Sequence, residues 1–378
     1  MKKNIYFVFI LPLMLATSCQ DAEMTEALVE KDLSCNCPVE LHSPEPGEIQ
    51  TFGDDVNSLK LTSYNGTTVM EGDIILTEEQ IVLMTAAEEG SDAGRVESAG
   101  QAVVANRWPN RVVPYVINSS LPNASRVTNA IAHWESRTNY DFVQRTTQTN
   151  YIEFIPSNGC SSHIGMIGGR QYIYLGSNCT QGNTIHEIGH ALGLWHEHTR
   201  ADRDYSVNIN WNNINSGAVH NFEMYNFNSS GFDNGAFDFG SIMMYPSSAF
   251  SSNGNPTITR KDGSTFTAQR TALSSGDIAG AAFIYNATQL ATPSGVRAVH
   301  DGDETLTVTW NAVAGASEYW IYTLFPGQDV RPKLYRIRSS TSWTRELKSK
   351  YRSGYRIWVA ARNANGNTSI AREASYNW

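Results

Sequence analysis

The apolar positions of this chain change period along its length. Behind Lys2 and Lys3, residues 5–15 form an almost unbroken apolar run, too short for a stable bilayer span and shaped like a secretory signal. Val127, Ala130, Ile131 and Trp134 stand at helical spacing within residues 126–138. At about 100° per residue, Ile185, Ile188 and Leu192 fall within roughly 60° of one another, which predicts a helix with one core-facing stripe. Asn183 is placed to cap its start. From residue 292 the period becomes two, in Leu306-Thr-Val-Thr-Trp310, Tyr319-Trp-Ile-Tyr322 and the run at 355–363. Turn residues between such runs predict a β-sandwich of fewer than about a hundred residues. Pro-Glu-Pro-Gly at 44–47 and Glu-Glu-Gly-Ser-Asp-Ala-Gly at 88–94 break the pattern, the second as a protease-accessible linker.

These shifts divide the 378 residues into a signal at 1–19, an acidic segment at 20–98, a central domain at 99–291 and the sandwich at 292–378. Charge divides the same way. Residues 20–98 carry 18 acidic and 3 basic groups, residues 99–291 are near balance, and residues 292–378 are net positive by 5. The overall −9 argues against a nucleic-acid footprint, but it belongs to the first segment and says nothing about what the rest binds. Leu15-Ala-Thr-Ser-Cys19 resembles a bacterial lipobox, so the expectation is an exported chain, secreted or held at a bacterial outer surface through lipid on Cys19. That lipid is the only membrane contact expected. Of the five cysteines, Cys35 and Cys37 fall in the acidic segment, where they can pair or bind metal. Cys160 and Cys179 remain, and export permits a bridge between them contributing about 3 kcal/mol.

The strongest chemical signal is His186-Glu187-Ile-Gly-His190-Ala-Leu-Gly193-Leu-Trp-His196-Glu197. On a helix, His186 and His190 lie one turn apart on a face away from the apolar stripe, with Glu187 beside them. On a continued helix His196 would lie about 15 Å beyond His186, so the chain must turn back. Gly193 is where it can, because glycine adopts positive φ without a Cβ clash. Three neutral imidazoles with an open fourth position describe a catalytic zinc site holding one Zn2+. Glu187 is then the base that takes a proton from the attacking water and passes it to the leaving amine. Chance produces this pattern in a chain of this length on the order of 10⁻⁵.

The motif is the metzincin signature, and with Glu197 directly after the third histidine the sequence resembles the astacin family of zinc endopeptidases. Ser241-Ile-Met243-Met-Tyr245 resembles that family's Met-turn. The resemblance implies a two-lobed α+β catalytic domain, Met243 as a floor under the histidines, and Tyr245 as an additional zinc ligand that swings away to stabilise an oxyanion. By itself Tyr245 reads as a core tyrosine. Residues 108–115 are similar to the family's first strand and 126–138 to its first helix. Residues 159–165 and 168–174 are similar to its cysteine loop and to the edge strand that holds substrate. No cysteine follows Cys179, so the family's second, lobe-joining disulfide is missing.

Val69-Met70-Glu71-Gly72-Asp73 resembles the astacin pro-region switch, Phe-x-Gly-Asp, which implies that Asp73 takes the open metal position of a zymogen. An ordinary Gly-Asp turn and a thiolate plug from Cys35 or Cys37 stay open as readings. An activating protease would cut between Arg95 and Val103, and the resemblance implies that the new amino terminus folds onto Glu197. The sandwich resembles a fibronectin type III module with Trp310 in its core. Its tryptophans are chiefly core, or else face a polymer or surface ligand. Arg260 and Lys261 are candidates for a basic group selecting acidic substrates. His133, His163, His198, His220 and His300 show no ligand spacing. The expectation is a secreted or lipid-anchored zymogen acting on proteins or peptides; the alternative is a non-catalytic surface adhesin that retains the metzincin fold.

Overall fold

The computed structural model describes residues 40–43, 45–53, 58–85, 107–224, 233–286, 290–300, 305–324, 333–346, 355–365, 368–369 and 371–377. The expectations for Cys19, Cys35, Cys37 and the 88–94 linker lie outside these residues.

Strands β1 (Glu48–Phe52), β2 (Leu59–Tyr64), β3 (Thr67–Met70) and β4 (Ile74–Leu76) precede helix α1 (Glu78–Thr85). Then come β5 (Val112–Ile117), helix α2 (Ser125–Glu135), β6 (Asp141–Gln144), β7 (Tyr151–Pro156), β8 (Cys160–His163) and β9 (Arg170–Leu175). All nine strands form one sheet in the order β1-β2-β3-β4-β8-β9-β7-β5-β6. Strands β7 and β9 alternate between buried and partly exposed positions, the pattern of strands with one face on a core. That core holds Trp108, Val113, Val127, Trp134, Ile152, Phe154 and Ile173 together with Ile185, Ile188 and Leu192, so the predicted stripe does face inward. Two indole N–H groups tie the layers: Trp134 donates to the Ile185 carbonyl at 3.0 Å and Trp108 to that of Ala191 at 2.9 Å.

The edge-strand expectation for residues 168–174 is corrected. Strand β9 is paired on both sides, by β7 and β8. The segment after Gly159 folds back antiparallel on β9 and becomes the outer strand β8. Strand β4 covers β8 in turn, with Ile74 opposite Ser162 and Ile75 opposite His163. Cys160 and Cys179 are bridged, with their Cα atoms 6.0 Å apart.

Helix α3 (Gln181–Leu192) follows, then β10 (Val207–Ile209), β11 (Ile258–Arg260) and helix α4 (Ser275–Asn286). A second apolar cluster around β10 and β11 contains Val207, Phe222, Met244, Tyr245 and Ile258. The remaining strands are β12 (Arg297–His300), β13 (Thr305–Thr309), β14 (Glu318–Leu324), β15 (Lys333–Arg338), β16 (Ser342–Glu346), β17 (Arg356–Arg362), β18 (Arg372–Glu373) and β19 (Ser375–Asn377). They form two four-stranded sheets, β16-β13-β12-β19 and β15-β14-β17-β18. Their shared core includes Leu306, Val308, Trp310, Ile321, Trp343, Ile357 and Val359.

Candidate metal centre

Helix α3 begins three residues earlier than the expected cap at Asn183 indicates. Thr180 is its N-cap, and Asn183 completes a capping box by accepting the Thr180 N–H at 2.7 Å. At the other end Gly193 has φ 107°, and the Gly193 and Leu194 amides bond back to the carbonyls of His190 and Gly189. A Cβ there would be strained, and the left-handed residue lets the chain reverse. The reversal returns His196 to the face already holding His186 and His190.

All three imidazoles are buried. His186 Nδ1 lies 2.8 Å from the Ile242 carbonyl and His190 Nδ1 lies 2.7 Å from that of Leu194. A carbonyl only accepts, so both Nδ1 atoms carry hydrogen and both Nε2 atoms of the neutral rings present lone pairs. Those two Nε2 atoms stand 3.1 Å apart. The Asp73 carboxylate lies among them, at 3.3 Å from His186 Nε2, 3.6 Å from His190 Nε2 and 3.4 Å from His196 Nε2. One donor atom from each of the four residues falls within 4.8 Å of all the others. Lone pairs and a carboxylate crowded this closely in a buried space need a cation between them. A nitrogen-rich set with one carboxylate fits Zn2+. The same demand for positive charge acts on His196. Burial disfavours its proton, but Asp73 and Glu71 outweigh burial and push its pKa up to about 9.

Glu187 is fully buried beside this cluster, and both of its carboxylate oxygens lack a hydrogen-bond partner. Burial, and then the charges of Asp73 and Glu40, raise its pKa well above the usual carboxylate value. Met243 lies beneath the helix: a Cβ on Gly189 would come within 2.9 Å of its sulfur. The Met243 carbonyl also accepts the Glu197 N–H at 3.1 Å. Tyr245 is buried with its ring stacked on His198 at 3.8 Å and 4.7 Å from the His196 ring, and its hydroxyl donates to the Glu71 carbonyl. Glu197 accepts the Asp238 N–H at 2.7 Å, and burial lifts its pKa to about 8 despite Arg200.

Three further groups were given no role by the sequence, although Glu71 stands inside the switch motif. Glu71 pairs with His196 Nδ1 at 2.7 Å, on the side of the ring opposite the nitrogen that faces Asp73, as a carboxylate behind a metal-binding imidazole would. Glu40 is buried and grips Arg270, whose Nε donates to one carboxylate oxygen and whose Nη2 donates to the other at 2.8 Å. Asn183 donates to the same Glu40 at 2.7 Å. Burial alone would raise the Glu40 pKa, but the charge and hydrogen bonds of Arg270 prevail and hold it at about 2. Asp277 accepts from the Ser241 hydroxyl and the Ile242 amide at 2.6 and 2.9 Å and so pins the turn that carries Met243. Arg260 instead lies 3.9 Å over the ring of Phe239, and the Lys261 ammonium reaches the Val207 carbonyl at 3.5 Å.

Residues 101–286 match the family model described as Astacin, a peptidase family. This segment belongs to the astacin family. The chain is similar to Protein SpAN of Strongylocentrotus purpuratus, 37% identical over 272 residues, which cover 68% of this chain and 44% of that protein. It is similar to zinc metalloproteinase nas-13 of Caenorhabditis elegans, 38% identical over 184 residues, covering 48% of this chain and 41% of the relative. Among solved structures it is similar to high choriolytic enzyme 1, a hatching enzyme zinc-protease from Oryzias latipes, at 34% identity and a TM-score of 0.43, covering 48% of this chain and 92% of that one. The chain spans less than half the length of the two curated relatives named here. The astacin relatives also correct the expected localisation. They come from sea urchins, nematodes and mammals, which conflicts with a bacterial surface lipoprotein. A lipobox is only a few small residues behind an apolar run and arises easily there, whereas identity over 184 to 272 residues does not.

Proposed function

We propose that this chain is the latent form of a zinc endopeptidase, with His186, His190 and His196 as metal ligands and Asp73 as the plug. One observation carries the reading: three Nε2 atoms and one carboxylate converge in a buried space beside an unpartnered Glu187. When bound there, zinc supplies Lewis acidity that lowers the pKa of water and polarises a peptide carbonyl. Glu187 takes the proton of the attacking water on its carboxylate and returns it to the departing nitrogen. Tyr245 donates its hydroxyl proton in a hydrogen bond to the oxyanion once Glu71 no longer holds it. Met243 supports the helix from below, and Gly193 sets the return of the chain.

Residues 20–98 act as the pro-region of this zymogen. Strand β4 lies along β8, where an extended substrate would add as a strand, and Asp73 sits where the attacking water must be. A protease cutting between Arg95 and Val103 removes the block. The new amino terminus then enters a cavity of about 100 Å³ lined in part by Glu197, Asp233 and Asp238. These carboxylates together with Asp277, four in all beside one Arg200, favour such a cation. Arg270 selects the substrate class: the guanidinium that holds Glu40 takes an acidic side chain beside the scissile bond after activation. Residues 292–378 form a fibronectin type III-like module.

The test uses the full chain and its processed form. Stoichiometric zinc and casein hydrolysis abolished by a chelator are expected of the processed enzyme, and Asp73→Ala is expected to show activity before cleavage. A processed protein that holds no transition metal and cleaves no peptide would sink the reading.

A further inference from the structure

The sandwich strands β14 and β17 are buried on both faces: five consecutive residues of each are inaccessible. One face is accounted for, since Tyr319, Ile321, Ile357, Val359 and Ala361 fill the sandwich interior. The opposite face presents Trp320 and Tyr322 across from Ala360 and Trp358. An antiparallel sheet of this size ordinarily leaves such a face to water. Here it closes on the loop after helix α3. Ala201 is buried in one cluster with Trp320, Tyr322 and Trp358, and Trp195 packs against that cluster. Trp195 and Ala201 bracket His196 and Glu197.

A polar chain runs along the same contact. Asp233 donates its N–H to the Thr368 hydroxyl at 2.8 Å, and Thr368 returns its own N–H to the Asp233 carbonyl at 3.0 Å. The neighbouring carbonyls of Asn234 and Gly235 each accept from Arg200 at 3.0 Å. Arg200 also forks onto Asp202 at 2.8 and 2.9 Å and stands 3.6 Å from Glu197. The loop itself contains only short 3₁₀ turns, Glu197–Thr199 and Arg203–Tyr205, and a metal ligand on a loop needs such outside support to hold its geometry.

We propose that the C-terminal sandwich is a clamp for the third metal ligand: Trp320, Tyr322, Trp358 and Thr368 are positioning residues that fix the Trp195–Arg203 loop and through it His196. The inference rests on the metallopeptidase reading of the three imidazoles, and its test separates the two. In the full chain, Trp358→Ala and the milder Thr368→Val are compared with wild type by hydrogen exchange over residues 194–205 and by the rate of zinc loss to a chelator. Val308→Ala, in the sandwich interior, is the control.

Faster exchange in the loop is expected for both clamp variants, with zinc loss accelerated about tenfold or more for Trp358→Ala. The control is expected to match wild type in both measurements. If Trp358→Ala fails to fold, Thr368→Val decides the outcome. Wild-type exchange and wild-type zinc loss in the clamp variants would overturn the proposal. A wild-type chain holding no zinc would overturn the metallopeptidase reading instead, and the exchange comparison would still decide whether the sandwich holds the loop.

Discussion

His186 and His190 owe their places to one helix, whereas His196 owes its place to three separate parts of the chain. A four-residue spacing on α3 brings the first two rings to an Nε2–Nε2 separation of 3.1 Å with their outer nitrogens on nearby carbonyls. The third ring leans on Glu71, far upstream, for its Nδ1 partner, while its loop packs on the sandwich far downstream. Local geometry therefore places two of the imidazoles, and tertiary contacts support the third. Perturbations of the helix should strike chemistry, and those around His196 should strike metal retention and latency.

The largest effect is expected on the helix side. Glu187→Gln keeps the shape of the side chain and removes the base, so kcat of the processed enzyme should fall about 10²- to 10⁴-fold. Zinc content, read by elemental analysis, should stay stoichiometric. Loss of zinc in this variant would mean that Glu187 holds the site together instead of moving a proton.

On the pro-region side, Arg270→Leu leaves Glu40 buried without its cation, a change that typically costs about 3–5 kcal/mol. Docking of residues 59–76 should loosen, measured as faster hydrogen exchange in β3 and β4 of the uncleaved chain. Acid should do the same in the wild type. Glu40 is depressed from its ordinary 4.5 to about 2, so its contribution is complete above about pH 4.5 and fades as pH falls toward 2. In the processed enzyme the same substitution should abolish any preference for acidic residues in a peptide library. A smaller effect is expected of Glu71→Gln, which weakens the partner of His196 while leaving Asp73 in place. Zinc should leave the latent chain about tenfold faster than from wild type, and the processed enzyme should be unaffected.

The comparison also explains what could be read from the sequence. The stripe of Ile185, Ile188 and Leu192, the paired histidines and the reversal at Gly193 are short-range patterns, and the fold displays each of them. The period-two runs after residue 292 likewise became two sheets, but alternation cannot say what covers an outer face, so Trp320 and Trp358 could not be assigned to the loop beside the metal. Glu40 and Arg270 meet across 230 residues. Neither has a neighbour in sequence that marks it, and Arg260 and Lys261 drew attention only because they stand together. The supposed edge strand was misplaced for a similar reason: strand order is set by pairings between distant segments, and β8 folds outside β9.

The smallest expected effect isolates a residue that serves both sides. Asn183 completes the capping box of α3 through its side-chain oxygen and grips Glu40 through its amide nitrogen. Asn183→Ala removes both bonds, so the processed domain should lose about 0.3–1.5 kcal/mol of stability to the broken half of the capping box and the pro-region should dock less tightly. Asn183→Asp separates the two roles. Its carboxylate still accepts the Thr180 N–H and suits the positive end of the helix, so thermal unfolding of the processed domain should match wild type. In the latent chain that carboxylate faces Glu40 with no proton to donate, and β3 and β4 should exchange faster than in wild type. Equal unfolding temperatures for the processed Ala and Asp variants would show that the cap contributes nothing. Unchanged exchange in the Asp variant would show that the pro-region does not depend on this contact.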